Sequence, residues 1–275
     1  MAIQNDKGES FGKIGKVIKR RYKKMIILQE APGKGGVRQT EDTKRSASAF
    51  GQVSSWGAMI RESFTPLIMG YYDTVMTSRL TGYLNMYLKG CYNREDKTWN
   101  FEKNTLKALE GFEFNIDSTV RNSFFVTPEY SLDNNQLTIK YPEFVVGKDF
   151  KFPKDASSAE ITIMVAEFNL EKSLRSTKVK TESIEFTSYE NPDIAATEFT
   201  FEVTEGCLCI ASVGIKYFKR SAKWALLKNT KDFSPAAIIC ALFNVGDFNV
   251  DKKDGWKDKV KKLANNSTTT STEIR

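Results

Sequence analysis

Eight residues near the front of the chain, Lys13, Lys16, Lys19, Arg20, Arg21, Tyr22, Lys23 and Lys24, have the types and spacing to grip a polyanion. Their cations can hold phosphates or carboxylates, and the ring of Tyr22 offers a face on which a base can stack. The glycine-rich APGKGGVRQ that follows lacks the G-x-x-x-x-G-K-[ST] spacing of a phosphate-wrapping loop and reads as a flexible connector. Cys207 and Cys209, two apart on a strand, point to one face, but two thiols do not make a zinc site and only Cys91 and Cys240 remain to complete one. The four read as reduced, buried thiols. Asp247, Asn249, Asp251 and Asp258 occupy the first, third, fifth and twelfth positions of a calcium loop. The sixth is Lys252, which blocks the sharp turn and opposes the ion, so no metal and no cofactor is expected.

The chain contains 0 histidines, which removes Ser-His-Asp and Cys-His catalysis and every zinc site that uses imidazole. No G-x-S-x-G occurs, and Ser10 with Lys13 matches S-x-x-K without its S-D-N and K-T-G companions. Asp and Glu are scattered, so no catalytic pair can be assigned from spacing, and an enzyme using carboxylates gathered in a groove, or Lys alone, is the enzymatic route left open. The expectation is a protein that is not an enzyme.

The formal charge of the 275 residues is +7, from 41 Lys and Arg against 34 Asp and Glu. Residues 11–45 hold 11 of those cations and only three acids, Glu30, Glu41 and Asp42, which leaves the remainder close to neutral. A neutral body with a concentrated basic segment is the pattern of a molecule that meets nucleic acid, an acidic protein or an anionic surface through one region. The longest apolar run, Ala236 to Phe243, is far short of the roughly 20 residues of a spanning helix, and MAIQNDKGES carries no secretory apolar stretch. The reading is cytoplasmic, or assembled into a particle there, without a membrane partner.

Within the basic window, Lys13 to Lys19 and Lys24 to Gln29 are β-prone and flank the turn-like Arg20 to Lys23, which predicts a hairpin with its cations at the tip. Phe50, Val53, Gly57, Ile60 and Phe64 recur at helical spacing behind a start at Thr40. Pro66 breaks that run and opens a second helix through Met76, and a third covers Arg79 to Lys89. Asn104 to Leu109 supports a short helix. From Phe112 onward the pattern is β: Phe112–Ile116, Ser123–Val126, Gln136–Tyr141, Glu160–Phe168, Lys178–Phe186, Glu198–Val203, Leu208–Phe218 and Ala237–Phe243. Turns are read at Asp133 to Asn135 and at Glu205-Gly206, the latter as a hairpin. The fold class is α+β, mainly an antiparallel β-sandwich or barrel behind a basic β-hairpin and two or three helices. The boundaries are 1–39 for the arm and connector, 40–110 for the helices, 111–250 for the β domain and 251–275 for a basic helix-like segment with a disordered polar tail.

The opening MAIQNDKG, Phe11-Gly-Lys-Ile-Gly-Lys-Val17, the closing Ala31-Pro32, and Thr40-Glu41 leading to Arg45 and Phe50 resemble an uncharacterised Bacteroidota domain-of-unknown-function family. That resemblance is specific over residues 1–64 and architectural beyond. It departs from the family at Tyr22 and at Gln29-Glu30, where a Trp-containing turn and an Arg before the closing Pro are usual. It implies helices followed by an immunoglobulin-like β-sandwich and carries no activity over, while the family's gene neighbourhoods hint at phage or mobile elements. The functional expectation is a structural or assembly protein whose basic arm contacts nucleic acid or an acidic partner within a homo- or hetero-oligomer. The rival expectation is a cell-surface β-sandwich module for a carbohydrate or protein ligand.

Overall fold

The computed structural model describes residues 2–4, 8–22, 25–33, 40–101, 106–189, 192–221, 224–249 and 255–258. The chain forms two compact units, Met1–Ser48 and Ala49–Arg275.

The first unit is a four-stranded antiparallel sheet in the order β1 (Ala2–Gln4), β2 (Ser10–Ile14), β3 (Val17–Tyr22), β4 (Met25–Glu30). The expected two-stranded hairpin is therefore a meander. Its first tight turn is Gly15-Lys16, where Gly15 takes φ +61°, the left-handed backbone that two-residue hairpin turns need to match strand twist. The expected reversal does fall between β3 and β4, which pair from Tyr22 with Met25 onward; Tyr22 ends β3 beside it, while Arg20 and Arg21, expected in the turn, lie within β3. No described side chain of this sheet is buried. One layer of this size encloses no core of its own.

At the end of this unit Thr40 starts α1 (Glu41–Ser63), its Oγ1 accepting the Thr43 N–H at 3.2 Å. In the second unit the buried stripe of α1 begins one turn later than expected: Phe50 is exposed, and Val53, Trp56, Ile60 and Phe64 are buried. Pro66 does open a helix, α2 (Thr65–Ile68), but Met69 and Gly70 at φ +54° and +77° end it after one turn. α3 (Met76–Leu88) buries Met76, Leu80, Leu84 and Leu88, and a 3-10 turn covers Leu106–Leu109.

The strands of this unit, in chain order, are β5 (Tyr92–Asn93), β6 (Thr98–Trp99), β7 (Glu129–Asp133), β8 (Gln136–Tyr141), β9 (Phe144–Val145), β10 (Ser158–Asn169) and β11 (Leu174–Ser176). They continue with β12 (Lys180–Thr187), β13 (Asp193–Ile194), β14 (Thr197–Glu202), β15 (Cys207–Ser221), β16 (Trp224–Leu227), β17 (Ala236–Asn244) and β18 (Trp256–Asp258). A seven-stranded sheet is built on the long antiparallel pair β10 and β15: β12 and β11 extend it beyond β10, β17 and β16 beyond β15, and β18 beyond β11. A three-stranded sheet, β14-β8-β7, lies across one of its faces.

Alternation along the central pair sorts the two cores. Ile161, Ile163 and Val165 with Cys209, Ala211 and Val213 meet Leu137, Ile139 and Tyr141 of β8. Met164, Ala166 and Phe168 with Leu208 and Ile210 face the helices through Trp56, Leu67 and Leu80. Each fully buried aliphatic or aromatic side chain is worth about 1.5–3 kcal/mol. Gly214 allows the closest approach: a Cβ there would lie 2.7 Å from the Leu67 side chain of α2.

Several strand expectations change. Phe112–Ile116 is a short pairing onto the outer edge of β17, with Gly111 N–H to Ile238 O at 2.9 Å and Phe114 N–H to Ala236 O at 2.8 Å. Ser123–Val126 contributes a single bridge, Phe124 to Phe150. The Asn134-Asn135 turn joins β7 and β8 as expected, with both residues at positive φ. The Glu205-Gly206 turn is not a hairpin. β14 pairs with β8 and β15 with β10, so the chain changes sheets there. This corner is tied by Asn135 Nδ2 to Glu205 Oε1 at 2.8 Å and Asn244 Nδ2 to Asn135 Oδ1 at 2.9 Å. Trp256–Asp258, expected at the start of a helix-like piece, is β18, paired with β11. The remainder of that piece and the polar tail lie outside the described residues. Among the described residues no helix is long and apolar enough to cross a membrane.

Gly214→Val forces α2 off the sheet and lowers the unfolding free energy by about 1–3 kcal/mol in urea denaturation. Leu67→Ala in the same chain recovers part of that loss, because it removes the atoms that collide.

Candidate functional site

The described candidate cations of the first unit divide between the two faces of its sheet. Lys13 lies in β2, Lys16 in the Gly15-Lys16 turn, and Lys19, Arg20 and Arg21 follow one another in β3. Tyr22 is placed by its backbone alone, and Lys23 and Lys24 lie outside the described residues. Strand alternation sends Lys19 and Arg21 to one face and Arg20 to the other. The Lys19 Nζ and the Arg21 guanidinium sit 5.5 Å and 5.4 Å from the centre of the Phe11 ring, within cation-π range. Arg21 is also met by an acid of its own sheet, Glu9, at 2.7 Å. Register places an aliphatic residue opposite each cation in turn: Leu28 opposite Lys19, Ile27 opposite Arg20, Ile26 opposite Arg21, and Ile18 opposite Lys13. Leu28 is 66% exposed.

A second candidate lies in the second unit, in a cleft of about 500 Å³ between the edge strand β7, the edge strand β17 and the segment 110–128. Val120, Phe124, Val126, Val213 and Ile239 supply apolar wall. Four polar side chains of the cleft are coupled in two pairs. The Tyr130 hydroxyl donates to a carboxylate oxygen of Glu110. Glu113, 7% exposed, accepts the Val120 N–H at 3.0 Å and lies 3.7 Å from Nε of Arg121. Burial pushes the Glu113 carboxyl above its usual range, against the opposing pull of the Val120 and Arg121 groups. Tyr141 also lines the cleft and is 2% exposed, and its hydroxyl has no hydrogen-bond partner among the described residues. Burial pushes its phenol up, as it does for Tyr130, where Glu110 adds to the effect.

The wall of this cleft is pinned from the helical side. Burial raises the Asp73 carboxyl, but Arg79 and the N–H groups of Val75 and Ile116 overcome that and hold it below the usual range. Arg79 bridges Asp73 at 2.5 Å and the Glu113 carbonyl at 2.7 Å, so α3 fixes the backbone from which Glu113 projects.

The remaining motifs are structural. All four cysteines are buried and none forms a disulfide. Burial, helped by Glu167, pushes the Cys207 thiol up to about 12, and burial raises Cys209 as well, so neither is a ready thiolate. Glu167, buried inside β10, is held by Lys180 at 2.9 Å. Among the described residues no group of three Cys, Asp or Glu stands close enough to hold a metal ion. Of the calcium-like spacing, Asp258 is part of β18 and Asp251 lies outside the described residues.

Spacing did not reveal the cleft, because Glu110, Glu113, Tyr130 and Tyr141 come from three separate segments. The one available signal was Glu113 itself, an acid between two phenylalanines in an apolar run. No known protein family, curated protein or solved structure matches this chain.

A folded-state pKa above the unfolded one means that the native protein favours the protonated Glu113. Its contribution is complete below the ordinary value of 4.5 and is lost as pH rises above it. Wild type therefore loses stability relative to Glu113→Gln as pH rises from about 4.5. Urea midpoints of the two proteins at successive pH values above it measure the difference.

Proposed function

We propose that the chain is a non-enzymatic structural or assembly protein that docks its basic N-terminal sheet on an acidic protein partner. A phage or mobile-element particle is the setting in which such a part belongs. The observation that carries the reading is the cross-strand pairing of cations with exposed aliphatic residues, Lys19 with Leu28 and Arg21 with Ile26. A protein surface answers both halves of such a pair, carboxylates to the cation and apolar side chains to the aliphatic one. A phosphate backbone answers only the first. The two facing antiparallel sheets of the second unit support an immunoglobulin-like sandwich as the body that carries the arm. The helices packed on the larger sheet's other face add a third layer to it.

Binding of the full chain to poly(Glu,Tyr), polyglutamate and duplex DNA across a salt series tests this. The copolymer is expected to bind tightest. Lys19→Ala with Arg20→Ala and Arg21→Ala lowers affinity roughly tenfold at low salt and flattens the salt dependence. Leu28→Ser weakens copolymer binding without changing the salt slope. Tighter binding to DNA than to either polypeptide, or an unaltered triple variant, overturns the proposal.

A further inference from the structure

The cleft between β7 and β17 has a charge and polarity pattern that the fold leaves unanswered. Its two carboxylates are not equivalent. Glu113 is consumed internally, since one oxygen takes the Val120 N–H at 3.0 Å and the other faces Arg121 at 3.7 Å. Glu110 is different: it receives the Tyr130 hydroxyl, and among the described residues no Lys or Arg pairs with it. With Arg121 set against Glu113, the lining carries one net negative charge, located at Glu110. A neutral phenol donating to a carboxylate orients that group but leaves its charge in place.

The second observation is Tyr141. A phenol buried to 2% exposure without a hydrogen-bond partner is uncommon, because leaving a buried polar group unsatisfied is costly. Its side chain belongs to the same lining as Glu110, and burial keeps its proton on, so it stands ready as donor or acceptor. Around these two groups the wall is apolar, built from Val120, Phe124, Val126, Val213 and Ile239.

We infer that this cleft binds a small organic cation, an ammonium group on a compact apolar body, with the nitrogen at Glu110 and the body against the Phe124 wall. A volume of about 500 Å³ accommodates a ligand of one ring and a short chain. The ammonium answers the unpaired carboxylate, and a polar atom carried deeper can satisfy Tyr141. Anions are disfavoured, because the net charge of the lining is negative and sits at Glu110. The site is independent of the basic sheet, being built entirely from residues of the second unit.

Isothermal titration of the full chain with three near-isosteres tests this: 2-phenylethylammonium, 2-phenylethanol and 3-phenylpropionate. The ammonium is expected to bind about tenfold more tightly than the alcohol, and the propionate not at all. Glu110→Gln retains an acceptor for Tyr130 and is expected to bring the ammonium down to the affinity of the alcohol. Arg121→Gln serves as a second variant: by removing the cation that lines the cleft it raises ammonium affinity. Thermal melts of both variants confirm that each is folded before it is titrated. Equal binding of the three compounds, ammonium affinity unaltered in Glu110→Gln, or no binding of the ammonium at all overturns the inference.

Discussion

A strand buried on both faces must carry apolar side chains at nearly every position, and the larger unit is organised around two such strands. β10 and β15 pair along most of their length, with the smaller sheet on one side and the helices on the other. Their sequences, EITIMVAEFN and CLCIASVGIK, lack the polar alternation of a half-solvated strand for that reason. Everything else is placed by what this pair demands. Gly214 gives up its side chain so that α2 can reach the sheet, and Glu167 survives inside β10 because Lys180 and the Thr204 N–H satisfy it. The candidate cleft exists because β7 and β17, the outer strands of the two sheets, leave a gap between them.

The elements that the sequence made legible are those whose periodicity reflects a single local rule. Gln136–Tyr141 is read correctly because one face is wet and the other dry, and the Asn134-Asn135 turn because two adjacent asparagines tolerate positive φ. The long strands were found to within a few residues. The failures are choices made by tertiary partners. Glu198–Val203 and Leu208–Phe218 look like a hairpin across Glu205-Gly206, and nothing local says that β14 prefers β8 while β15 prefers β10. Glu129–Asp133 is short and polar at its edges, so β7 went unread, and with it the wall that holds Tyr130. The basic residues were identified as a set, but their division between two faces depended on β3 running through Arg20 and Arg21 to Tyr22, with the reversal between Tyr22 and Met25 rather than across Arg20 to Lys23.

The two candidate surfaces use charge in opposite ways. On the small sheet the cations are largely solvated, so their attraction is long in reach, weak per contact and strongly screened by salt. In the cleft, carboxylates sit among apolar side chains, where each charge counts for more and selectivity over sign is sharper. A molecule with no histidine has no side chain whose ordinary pKa falls near neutrality, and burial moves the Glu113 carboxyl upward from its own.

The corner at which the chain passes from β14 to β15 has a mechanical consequence. The covalent crossing at Glu205-Gly206 and the amide contacts of Asn135 with Glu205 and Asn244 fasten the two sheets at the same place. A pair of plates riveted at a corner resists gliding at that place. The rivet is part covalent and part amide, so the register beside Asn135 is held from both sheets at once.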